Sequence, residues 1–306
     1  MPDVVAVGAA AVDMVARVDR FPEPDEIILV KSFERLPGGS TANVAVALAR
    51  LGVSVGFLGK VGGDENGRLL LEDFERHGVD VSRVIVAEGE RSASTFIAVD
   101  SEGRRVIYAL GGKALLESSE EVDLDYLLSS RIAYVGEAFP EVMLGALQSA
   151  KEKGIGVVYA PGGVFCSFGL DFIRPLLELA DVILLSRREL ETLTGTEDVS
   201  AGIRSLNSIV EGDIVVTAGE EGSIVATRSG LSRVPALRPQ KVVDTTGAGD
   251  AFAAGLVYGL LQGWSLSESA KFGSAVAAIK VASEGPRGGL PTAEEALRFL
   301  QTAEPL

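Results

Sequence analysis

The sequence holds one cysteine and one histidine in 306 residues. A single thiol, Cys166, excludes an intrachain disulfide framework, and a single imidazole, His77, excludes a metal site built from several histidines. His77 precedes Gly78 at the end of a helical pattern, where capping a helix C-terminus is its ordinary role. Cys166 lies in a Gly-rich stretch and reads as a small packed residue of a loop. Positive charge is scarce as well: 28 Lys and Arg face 43 Asp and Glu, a net charge of −15. That balance disfavours a nucleic-acid-binding surface while leaving room for a local basic pocket. Helix-like apolar runs are shorter than a membrane span or are broken by charge, so no membrane partner is expected. The N-terminus passes from Met1 into strand-like residues 4–8 without a signal peptide, and a soluble, cytoplasmic chain is the expectation. Internal repeats and low-complexity segments are lacking too.

What is present is ample apolar material. The chain is 47% hydrophobic and 23% charged, enough for a substantial core and against disorder. The length suggests about two domains, or one large α/β domain with an insertion. Strands at 4–8, 53–58, 132–135, 156–159, 182–185 and 214–217 are joined with helices at 41–51, 65–77, 141–153, 172–179, 188–194 and 201–209. This alternation predicts a mostly parallel sheet with helices on both faces. Two stretches have a different texture. Residues 15–33 carry alternating Val15, Ala16 and Val18, a turn at 21–25 and an apolar run at 27–30 that reads as another strand; residues 95–99 and 104–108 read as a β-hairpin. Together, 15–33 and 92–109 predict a small antiparallel lid over a large α/β domain made of 1–14, 34–91 and 110–306.

One stretch carries the chemistry. Asp244-Thr245-Thr246-Gly247-Ala248-Gly249-Asp250 ends a short apolar run and opens a buried helix over 251–262. The first turn of a helix has unpartnered N–H groups and a positive dipole end, and glycines let an anion come close to both. Asp250 beside such a cradle suits a base that takes a proton from an attacking hydroxyl, or, more simply, a helix N-cap. Asp13, after the first strand, is placed to face a ligand, because open α/β sheets bind at their carboxyl ends. Gly38-Gly39 at a second helix start is followed by Asn43, whose amide needs partners if buried. The familiar Gly-x4-Gly-Lys-Ser/Thr and Gly-x-Gly-x-x-Gly phosphate motifs are missing.

Asp13, Gly38-Gly39 with Asn43, and Gly247-Ala248-Gly249-Asp250 together resemble the ribokinase-like, phosphofructokinase-B-type (pfkB) carbohydrate kinase family. The resemblance covers essentially the whole chain, lid segments included. It implies a three-layer ribokinase-like sandwich with a β lid, and transfer of the ATP γ-phosphoryl group to a hydroxymethyl of a sugar. By the same resemblance Asp250 is the general base and the N–H groups of Gly247, Ala248 and Gly249 form the anion hole. Asp13, Gly38, Gly39 and Asn43 bind substrate; Ser186, Thr217, Gly219, Gly222, Thr246 and Gly249 line the nucleotide site. Glu189 approaches Mg²⁺ through water, and Asp244 with the Thr246 backbone matches a monovalent cation site, K⁺ in many members. The sequence departs from the family where Ser186-Arg187-Arg188-Glu189 stands for Asn-x-x-Glu, and where Gly289 offers the cation no side-chain oxygen.

The acceptor stays open between a free sugar, a nucleoside and a sugar phosphate. A phosphorylated acceptor needs cations under the lid, with Lys31, Arg35, Arg91, Arg104 and Arg105 available; a nucleoside needs an apolar slot, with Phe21, Phe96 and Tyr108 available. A catalytically silent sugar or nucleoside sensor is the alternative outside enzymology, and the edges of a lid sheet make a homodimer through the lids an expectation.

Overall fold

The computed structural model describes all 306 residues. The chain opens with β1 (Val4–Val7), a Val-rich strand buried at every residue. It leaves at once for a second sheet through β2 (Ala11–Arg17) and β3 (Ser32–Gly38), and returns through α1 (Ser40–Arg50), β4 (Val55–Leu58), β5 (Lys60–Gly62), α2 (Glu65–Arg76) and β6 (Ile85–Ala87). The hairpin β7 (Ser94–Val99) and β8 (Arg105–Ala109) completes the second sheet. Strand–helix alternation follows: α3 (Leu124–Leu127), β9 (Ile132–Val135), α4 (Pro140–Glu152), β10 (Gly156–Tyr159), α5 (Gly162–Ser167), α6 (Leu170–Leu177), β11 (Val182–Ser186), α7 (Arg187–Thr194), α8 (Val199–Asn207) and β12 (Asp213–Thr217). The antiparallel pair β13 (Ser223–Thr227) and β14 (Gly230–Val234) precedes α9 (Ala248–Leu261), α10 (Leu266–Lys280) and α11 (Ala293–Thr302).

The main sheet has the order β14-β13-β12-β11-β10-β9-β1-β4, parallel from β12 to β4. Successive side chains of a strand point to opposite faces, and both faces are covered here. Val4 and Ala6 of β1 join the core under α1, α9 and α10, whereas Val5 and Val7 join the core under α4, α6, α7 and α8. The result is three layers, with the carboxyl ends of the parallel strands along one rim.

The second sheet has the order β3-β2-β7-β8, antiparallel at both flanks and parallel between β2 and β7. Three details differ from the sequence reading. The apolar run at 27–30 is not a strand: Ile27 and Leu29 are 94% and 90% exposed, and β3 begins only at Ser32, where pairing with Arg17 starts. Hydrophobicity marked the wrong four residues because the turn through Pro22, Pro24 and Asp25 (φ 66°) carries the chain away from its partner. Asp13 is not at the tip of the first core strand but within β2, opposite Leu36 and Thr95. Cys166 sits buried in the short helix α5 rather than in a loop. His77 is the C-cap of α2, with Nδ1 2.8 Å from Asp73 O. No helix is long and apolar enough to cross a membrane.

Candidate active site

The starts of α1 and α9 face one another at the rim. Gly247, the N-cap of α9, is left-handed at φ 78°, and an added Cβ would stand 2.5 Å from Pro286 O. Only glycine meets both conditions. The N–H groups of Gly247 and Gly249 have no backbone acceptor, while that of Ala248 donates to Thr245 O at 3.1 Å. Two of the three donors read as an anion hole are therefore open, and the third closes the turn that presents them. In the same first turn of α9, Asp250 accepts from Ser40 Oγ at 2.7 Å on Oδ1 and from Asn43 Nδ2 at 2.8 Å on Oδ2. Burial raises its pKa; the two hydrogen bonds and the charges of Arg287 and Lys280 pull the other way.

Asn43 has both ends of its amide committed. Its Oδ1 accepts from Arg287 Nε at 2.9 Å. Arg287 also ion-pairs with Asp73 and donates to Gly38 O at 3.2 Å, with its guanidinium 5.6 Å over the Phe74 ring. Both members of the pair are more than nine-tenths buried. The sequence reading assigned no role to Arg287 or Asp73, because a contact spanning 214 residues leaves no local pattern.

Asp13 projects from the lid, its Oδ1 accepting from Thr95 Oγ1 at 2.6 Å. Burial raises its pKa against that bond and against Arg287. Gly38 makes room for it, since any side chain there would collide with the Asp13 carboxylate. Gly39 is the N-cap of α1. Glu137 was overlooked. It follows β9 at the rim, accepts from Thr41 Oγ1 at 2.9 Å, and has its pKa raised by burial and by the charge of Asp250. An acid just past the fully buried strand Ile132–Val135 was a legible signal under the rule that such sheets bind at their carboxyl ends.

Behind the α9 start lies a cavity of about 290 Å³, lined among others by Thr217, Gly219, Gly222, Thr245, Ala248, Gly249 and Val281. Four residues assigned to the nucleotide share it; Ser186 and Thr246 lie outside its lining. Ser186 caps α7 instead. Its Oγ accepts from Glu189 N at 3.2 Å and its N–H donates to Glu189 Oε2 at 2.7 Å, a reciprocal capping box. The serine in place of the family's asparagine is thus tied to Glu189. An Arg187–Glu221 ion pair of 2.7 Å links this helix start to the turn beside the cavity.

Thr246 reaches the other way. Its N–H and Oγ1 donate to Asp244 Oδ1 at 2.9 and 2.7 Å, and Oγ1 accepts from Arg105 of the lid at 2.9 Å. Asp244 Oδ2 accepts from Gly285 N at 2.9 Å. Of the other lid cations, Lys31 pairs with Asp19, Arg35 with Glu65, and Arg104 with Asp100 and Glu102. Phe96 and Tyr108 pair on the lid face opposite to Asp13 and Thr95, so neither borders the site; Phe21 lies against Arg104.

Open N–H donors and a hydrogen-bonded carboxylate in one helix start suit the transfer of a phosphoryl group to a hydroxyl, and with this fold they define a small-molecule phosphotransferase. The chain belongs to the pfkB family of carbohydrate kinases, whose sequence model (pfkB family carbohydrate kinase) matches residues 1–293. It is 29% identical over 296 residues to a nucleoside kinase of Methanothermobacter thermautotrophicus, covering 97% of this chain and 94% of that one. It is 32% identical over 300 residues to an ATP-dependent ribose-1-phosphate kinase of Halopiger xanaduensis, covering 98% of each. Among solved structures, Arabidopsis thaliana ribokinase complexed with ribose and ATP superposes with a TM-score of 0.88 at 25% identity, over 98% of this chain and 99% of that one. The ribokinase-like architecture expected from the sequence is the one observed.

Proposed function

We propose that the protein transfers the γ-phosphoryl group of ATP to a hydroxymethyl group of a sugar, with Asp250 as the general base. The observation that carries this reading is the pose of Asp250, held by Ser40 and Asn43 in the same first turn of α9 as the open N–H groups of Gly247 and Gly249. The carboxylate takes the hydroxyl proton as the oxygen attacks, and the helix-start N–H groups hold charge on the transferring group. The cavity beside Thr217, Gly219 and Gly222 receives the nucleotide, and Asp13 orients the acceptor from the lid. In this reading the lid expected at 15–33 and 92–109 is the sheet β2, β3, β7 and β8, whose first part runs wider, over 11–38, and the remainder is the catalytic domain. No three ligating side chains cluster to hold a metal by themselves, so a magnesium ion would rely on nucleotide phosphates and water, with carboxylates nearby. Glu137 and Glu189 lie on one rim, and both act on buried Tyr134 together with Asp250, so negative charge is concentrated there. They would hold Mg²⁺ largely through water, with nucleotide phosphates completing the shell, and the ion would neutralise phosphate charge.

A nucleoside acceptor is the second reading, favoured by one feature of the lid. Strand alternation puts Val15, Ile97 and Ile107 on the same face as Asp13, Thr95 and Arg105, an apolar patch over the site. The opposite lid face and its flank expose Phe33, Tyr108, Ile27 and Leu29, which supports pairing with a second copy. Light scattering at micromolar concentration checks this, and a monomer refutes it.

The test of function is an ATP–Mg²⁺ screen over free sugars, sugar phosphates and nucleosides, repeated with Asp250→Asn. Turnover should fall by about 10²- to 10⁴-fold in the variant while ATP binding persists. Equal turnover removes Asp250 from the role of base. Nucleotide or sugar binding without turnover by the native chain would favour a sensor.

A further inference from the structure

Lys280 is the last residue of α10 and is 0% exposed, the most deeply buried cation of the molecule. Its Nζ donates to the main-chain O of Asp244 at 3.1 Å, under the loop that leads into Gly247. An ammonium carries three donors, and burying one with a single neutral acceptor is costly unless its charge is used. The acids whose charge it meets are Asp244 and Asp250. Nothing in the mechanism above employs it.

The carboxylate of Asp244 is already served by internal donors, which disfavours a bound monovalent metal there. Such an ion needs several free oxygens. Both carboxylate oxygens of Asp244 already accept internal donors, from Thr246 N and Oγ1 and from Gly285 N, and the main-chain oxygen is taken by Lys280. An ion drawn to this carboxylate would also meet the ammonium. The strand of chain that carries the loop is tied to the same helix end, with Val243 N and Asp244 N both donating to Val281 O at 2.8 and 3.2 Å.

We infer that Lys280 is a tethered cation for the anion-hole loop: its ammonium holds the loop and supplies positive charge beneath it, so that phosphoryl transfer needs no K⁺ or Na⁺. This rests on the kinase reading of the site. Lys280 touches no reacting atom in this scheme; it is a positioning residue acting through Asp244 and the α9 start.

The experiment compares K⁺ with tetramethylammonium, an ion too large for a protein cation site, at an equal ionic strength of about 100 mM, where screening is the same. In the native chain, turnover should agree between the two salts within about two-fold, and thermal unfolding should occur at the same temperature in both. Lys280→Ala, which empties the space, should lose about 10- to 100-fold in turnover in tetramethylammonium, and K⁺ or ammonium should restore part of it. A purely structural lysine would lower the unfolding temperature without this ion-specific rescue. Several-fold activation of the native chain by K⁺ overturns the inference. So does a K⁺-specific rise in its unfolding temperature, or full activity of the variant in tetramethylammonium. Should Lys280→Ala fail to fold, the two arms on the native chain decide. Should no acceptor be phosphorylated, the kinase reading fails, and the unfolding arm still tells whether a metal ion is bound.

Discussion

Replacing Arg287 with methionine is the sharpest test of how Asp250, the proposed base, is held. Methionine keeps much of the apolar stem over Phe74 but removes the charge. The change deletes the pair with Asp73, the bond to Asn43 Oδ1 at 2.9 Å and the bond to Gly38 O at 3.2 Å. Breaking a buried pair from one side costs about 3–5 kcal/mol, because the other charge is left without its partner. Asp73 retains a 3.1 Å contact with Arg76, itself largely exposed, so the lower end applies. At about 2–4 °C per kcal/mol, unfolding should occur roughly 6–12 °C lower. Catalysis should respond separately. Arg287 is one of the charges that lower the pKa of Asp250 against its burial. A base works deprotonated, so activity is present above the Asp250 pKa and lost as pH falls through it. Without Arg287 that pKa rises, and the acid limb of the rate profile moves to higher pH. The assay is thermal unfolding of Arg287→Met, Asp73→Asn and the double variant, with turnover against pH for each. The double variant should lose at least about 1 kcal/mol less than the sum of the singles. Additive losses with an unmoved acid limb would refute the network.

Two further outcomes follow from the same geometry. Ser186→Ala removes the side-chain half of the α7 capping box and should cost about 1 kcal/mol, whereas Ser186→Asn keeps a cap and should be near neutral; unfolding curves separate them. Arg105→Gln cuts the lid's charged contact with Thr246 and should raise the KM for the acceptor or lower kcat by roughly ten-fold with little change in stability, as for an exposed pair; initial rates and unfolding together check it.

The parallel sheet was legible because its strands are continuous Val, Ile and Leu runs, such as β11 and β12, buried on both sides. Both helix starts of the site were legible through their glycines. What escaped was set by distance in the chain. Asp73 and Arg287 acquire meaning only where α2 meets the 283–289 loop, and Lys280 only where the end of α10 meets the chain at Asp244. The apolar residues at 27–30 looked like a strand because periodicity reports hydrophobicity, not the presence of a partner. Glu137 and the Ser-x-x-Glu capping box, by contrast, were readable and were passed over: one is an acid at a strand's carboxyl end, the other a standard helix opening.

The route of the chain after β1 has a consequence for timing. Because β2 enters the second sheet directly, Asp13 is carried by that sheet while Asp250 is carried by α9 of the main domain. A molecule must touch both to assemble the full arrangement. A water molecule is too small to contact both Asp250 and Asp13 as a sugar would. On the proposed kinase reading, an acceptor that bridges the two would curb idle hydrolysis of ATP without any dedicated guard.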